Sequence, residues 1–157
     1  MKARLLDQQL LIDLARLDGV IRTADAARRN PAQSARVSEL LTERHAQSAV
    51  LTGLLGDRDD ARAELDRLES DVALVDARTA RDTERLAATS NAKEAQGLEH
   101  ELVSLAKRKS DLEDAELVIM ERLETAEAAV AQQEAAIAEI NAEGARLARE
   151  AAALAEK

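Results

Sequence analysis

The chain has 157 residues, 31 acidic against 22 basic, a net charge of −9, no aromatic residue, no cysteine, one proline and five glycines. Without Phe, Trp or Tyr, a globular core loses its usual volume fillers, and the abundance of Ala, Leu, Glu, Arg and Gln is that of long helices. Absence of cysteine excludes a disulfide, a thiolate nucleophile and a cysteine zinc site, and the acidity opposes general nucleic-acid binding, where neutralisation of phosphate supplies most of the affinity.

At the N-terminus, Lys2 and Arg4 precede Leu5 and Leu6, but Asp7, Gln8 and Gln9 break the apolar run, so no signal peptide is read there. No apolar stretch reaches the roughly 18 residues of a membrane span. A cytoplasmic location is expected. The first predicted element is a helix over about 3–28, carrying Leu10, Leu14, Leu17, Ile21 and Ala24 at 4-3-4-3 spacing. It ends before the only proline. Asn30 reads as an N-cap, Pro31 as the first helical residue and Gln33 as the capping-box partner of a second helix.

The second helix is predicted over 31–88. A 3-4 alternation from Val37 runs to Leu86, and ten of its fifteen positions are apolar. Thr89-Ser90-Asn91 then breaks the pattern; Asn91 reads as a cap with Glu94 three residues on. The third helix is predicted over 92–156. Its alternation runs from Leu98 to Leu154, with Lys109, Glu116, Gln133 and Gly144 as the only four non-apolar members of seventeen. Heptads sustained over this length imply a left-handed coiled coil, and a turn of a few residues makes the two long helices antiparallel. The expected fold class is therefore all-α, an antiparallel coiled-coil hairpin over 31–157 with its tip near 88–92. The shorter N-terminal helix should pack on its base, the whole forming one domain over 1–157.

Pairing Leu86 with Leu98 sets a register in which facing seam residues have numbers adding to 184. Val72 then meets Leu112, Leu65 meets Ile119 and Leu54 meets Val130. No layer is polar on both sides. Leu41, Val50 and Leu55 lie off the second helix's seam and are expected to receive the first helix.

Few residues point to chemistry. Lys107-Arg108-Lys109 offers a basic run beside the seam, read first as a solvated face with Lys109 extending its charge outward. His45 and His100 lack a second histidine one turn away; Glu99 and Glu101 flank His100 on other faces. A two-stranded seam has no pocket in which to raise a carboxyl pKa for acid–base catalysis. Leu117, Val118 and Met120 lie off the seam around Ile119. Either the first helix or the supercoil covers them, or they form a partner or dimer patch.

Residues 98–124, LEHELVSLAKRKSDLEDAELVIMERLE, with the preceding SNAKEAQG, resemble the coiled-coil hairpin of the bacterial C4-type zinc-ribbon proteins. The shared features are Lys93-Glu94, His100-Glu101, Leu112-Glu113-Asp114 and Met120-Glu121. The Leu-Asp pairs of the first helix and the Arg28-Arg29-Asn30-Pro31 turn are similar to the actinobacterial branch. The resemblance implies a hairpin that, in family members, joins a C-terminal zinc ribbon with two CxxC pairs. Some members are implicated in flagellar or type III secretion control as chaperone-like binders of protein or messenger RNA. The sequence ends at Ala155-Glu156-Lys157 and supplies no cysteine, so neither zinc nor any other cofactor is expected of it.

Two functional readings follow. One is a non-enzymatic scaffold or chaperone-like module that binds a protein partner, or a second copy, through Lys93, Glu94, His100, Glu101, Leu117, Val118 and Met120. The other, resting on the resemblance and the Lys-Arg-Lys run, is a nucleic-acid-associated regulator. The lack of aromatic residues opposes the latter, since single-strand binders stack bases on them.

Overall fold

The computed structural model describes residues 5–28 and 31–156. They form three helices, α1 (Leu5–Arg28), α2 (Pro31–Ala88) and α3 (Ala92–Ala155), and among the described residues there is no strand. The expected cap Asn30 lies outside the described residues. Observed helix bounds agree with the capping and heptad signals to within a residue or two. The chain divides into two compact units: Met1–Leu54 with Ala129–Lys157, and Leu55–Ala128.

The first unit is a three-helix assembly. Its core is Leu14 and Ile21 from α1, Val37, Leu40 and Leu51 from α2, and Val130, Ile137 and Ala151 from α3. Leu40 and Ile137 are each only 1% exposed. Truncating a leucine so enclosed costs about 2–5 kcal/mol. α1 enters the α2–α3 seam at Gly144, where an ideal Cβ would lie 2.8 Å from Ile21 Cδ1 and 3.7 Å from Leu17 Cδ2. Of the residues expected to receive α1, Val50 needs correction, being half exposed to water; Leu41 is half-buried, and α1 reaches Arg44 on α2 and Gly144 on α3. Arg44 occupies a seam position, is 2% exposed, and pairs with Asp18 of α1. Burial pulls its guanidinium below the usual arginine value. Leu154 extends the heptad pattern yet stays exposed.

The second unit is a two-helix antiparallel coiled coil buried along Leu98, Leu105, Leu112, Ile119 and Ala61, with Arg58 and Asp82 as buried polar seam members. Ion pairs fix the register. Arg78–Glu101 and Arg85–Glu94 have numbers adding to 179, Glu64–Arg122 to 186 and Arg62–Glu127 to 189. A seam register of 184 puts flanking pairs of an antiparallel coiled coil at 179, 186 and 189; a one-heptad slip either way loses at least one of these classes. In the three-helix unit, Arg36–Glu143 also adds to 179.

Polar seam residues are resolved individually. Lys109 faces Val75 in the register and carries its ammonium to Asp76 at 2.7 Å, which holds its pKa above the usual lysine value. Gln133 donates through Nε2 to the Gln47 backbone carbonyl at 2.9 Å and also bonds the Gln47 side-chain oxygen. These two occupy neighbouring layers, so a diagonal bond satisfies what the layer count left open. Arg58 turns back on its neighbour Asp59, donating from Nη2 at 3.1 Å.

Candidate partner-binding surface

The turn between α2 and α3 is built by side chains that stand in for missing helix partners. Asn91 Oδ1 accepts from the backbone N–H of Lys93 at 3.0 Å and of Glu94 at 3.2 Å, capping two of the free donors of α3. In a simple capping box Glu94 would take the Asn91 N–H. Here Thr89 Oγ1 takes it at 3.2 Å and donates its own proton to Glu94 Oε2 at 3.0 Å. Arg85 Nη2 reaches Glu94 Oε1 at 3.4 Å. The threonine hydroxyl thus relays the box.

This geometry redistributes the expected site residues. Glu94 is committed to the turn, and Glu101 is tied to Arg78 across the hairpin. Lys93 and His100 are exposed on the α3 surface. The basic run is largely neutralised: Lys107 pairs with Asp111 at 3.2 Å, and Lys109 with Asp76 and Glu113. Among the described residues, no three His, Asp or Glu side chains gather to hold a metal ion, and no helix is long and apolar enough to cross a membrane.

Leu117, Val118 and Met120 are 63%, 64% and 51% exposed. No described residue covers them. Ile119 between them is buried in the seam. Four consecutive apolar residues on a helix must point in four directions; only one finds the α2 seam. Val103, two heptads earlier, and Leu74 on α2 are also exposed.

Charge is unevenly spread. Residues 55–128 hold 20 acidic and 11 basic side chains, so the whole net charge of −9 lies in the two-helix unit, and the remainder balances at 11 of each. Sequence reasoning treated the acidity as a property of the entire chain. The signal was present in the composition, but the unit boundaries needed to see it come only from the fold. Asp18, the counter-ion of a buried arginine, was likewise not singled out, because it sits beside the apolar stripe of α1 and belongs to no motif.

Comparison with known proteins gives three findings. Residues 14–157 match the CT398-like coiled coil hairpin domain. Two Mycobacterium tuberculosis proteins named as uncharacterized, MT2288 of strain CDC 1551 / Oshkosh and Rv2229c of strain ATCC 25618 / H37Rv, are each 35% identical over 130 residues. The match covers 82% of this chain and 53% of theirs, so the chain spans about half the length of these relatives. No solved structure matches it.

Proposed function

This chain belongs to the CT398-like coiled coil hairpin domain family, and from that premise we propose that it is a non-enzymatic interaction module. It acts in the cytoplasm as a scaffold or chaperone-like arm and docks a protein partner on the outer face of α3. The observation that carries this reading is the exposure of three large apolar side chains, Leu117, Val118 and Met120, within one turn. Water-facing apolar surface of this kind on a well-packed helix favours a partner contact. The resemblance to zinc-ribbon proteins suggests that the hairpin serves as the protein-binding half of a longer molecule.

A nucleic-acid role draws little support from the basic run, since both of its lysines are held by carboxylates. The test is capture from a bacterial lysate by the full chain, set beside a Leu117→Asp, Val118→Asp variant with an unchanged melting curve. Specific proteins retained by the first and lost by the second are expected. Equal capture by both, or an RNA gel shift at low ionic strength, would overturn the reading.

A further inference from the structure

The exposed apolar turn sits inside a frame of carboxylates. On α3, residues one turn before and after belong to the same stripe. Asp114 stands one turn before Leu117 and Val118, Glu121 one turn after them and Glu124 one turn after Met120, all exposed. None of these three carboxylates has an ion-pair partner among the described residues, in a hairpin where many other charges are paired. The only base nearby on α3, Arg122, is engaged with Glu64. From Asp114 to Glu124 the stripe spans ~15 Å, about three helical turns.

That arrangement selects an occupant. A second copy would bring its own unpaired carboxylates against these, and like charges juxtaposed across an interface are repelled. Anionic lipid surfaces and phosphate backbones meet the same repulsion, reinforced by the nine excess negative charges of this unit. A cationic segment gains at each point: its basic side chains answer Asp114, Glu121 and Glu124 while its apolar side chains cover Leu117, Val118 and Met120. A ridge of residues at three- and four-residue spacing is the surface onto which another helix packs. Resting on the protein-interaction reading above, we infer that this face of α3 takes an amphipathic helix of a partner protein whose apolar stripe is bracketed by Lys or Arg.

The full chain is titrated with a labelled, designed alanine-based peptide carrying a Leu-Leu pair with lysines one turn to either side. Its glutamate counterpart and a scrambled lysine peptide of identical composition serve as controls. The ordered lysine peptide should bind at least about tenfold more tightly than either control. Leu117→Asp should remove that binding. Asp114→Asn, Glu121→Gln, Glu124→Gln together should weaken it about tenfold and flatten its salt dependence. All four positions are exposed, so unchanged melting curves are expected for these variants. Equal binding of the scrambled or glutamate peptide, no binding of the ordered peptide, or binding indifferent to Leu117→Asp would overturn the inference. So would a dimer in sedimentation that Leu117→Asp dissolves, which would make a second copy the occupant. Lysate capture that depends on Leu117 but not on the three carboxylates would leave the interaction module standing and remove its cationic partner.

Discussion

Ile21 of α1 lies directly over Gly144 of α3, its Cδ1 2.8 Å from the place where a Cβ would stand. The missing side chain is what lets α1 close onto the seam. Gly53 and Gly56 have open space in the same position. Alanine there should stabilise the chain by roughly 0.5–1 kcal/mol each, through helix propensity alone. Gly144→Ala should gain less, because Ile21 must swing aside, and Gly144→Leu should cost about 1–3 kcal/mol. Urea denaturation of the four variants checks the order.

Arg44 is enclosed with Asp18 as its counter-ion, and its Nη1 finds no hydrogen-bond acceptor among the described residues. Removing the carboxylate leaves an uncompensated charge. Asp18→Ala should therefore destabilise by about 3 kcal/mol, whereas Arg44→Met should be near neutral or stabilising. Equal losses from both variants in thermal melts would refute this asymmetry.

At the turn, Asn91→Ala should cost about 1 kcal/mol by freeing two α3 donors. Thr89→Val should cost a comparable amount because both halves of the relay pass through one hydroxyl. Combining Thr89→Val with Glu94→Gln should then add little. A fully additive double mutant would show that the relay is not shared.

Arg36 donates to Glu143 from both Nε and Nη2, at 2.8 and 2.7 Å. That pairing holds the Glu143 carboxyl below the usual carboxylate range and, together with Glu39, raises the Arg36 guanidinium above its own. As pH falls, the unfolded chain takes up this proton first. The pair's contribution is present at neutral pH, declines below about pH 4.3, and is gone once the folded value is passed. The stability difference between wild type and Glu143→Gln should favour wild type at pH 7 and close in acid; melts across this range read it directly.

Helix bounds, the hairpin and its register were legible because they depend on local chemistry that repeats: a proline, an asparagine cap and heptads running from Val37 to Leu86 and from Leu98 to Leu154. The landing of α1 was legible only in part. Its apolar stripe said that it packs, but Val50 was misassigned as receiving surface, since a single off-seam valine carries no record of which neighbour covers it. Leu117, Val118 and Met120 could be picked out because a coiled-coil seam has room for only one residue in such a run. Their carboxylate frame stayed hidden, because a free carboxylate and a paired one look alike until the opposite helix is in place.

A heptad stripe is periodic, and periodicity alone cannot tell a helix where to stop sliding. On α1, Leu10 and Leu14 are followed seven residues later by Leu17 and Ile21, so a shift of one heptad exchanges leucine for leucine or isoleucine. Two aperiodic marks break the tie. Sliding one way brings Leu11 to the place of Asp18, leaving Arg44 facing hydrocarbon; sliding the other way brings Arg28 to the place of Ile21, over the notch at Gly144. A charged residue in the seam and a gap in the opposing helix, each a flaw by the rules of coiled-coil packing, together act as a vernier that reads zero at one alignment only.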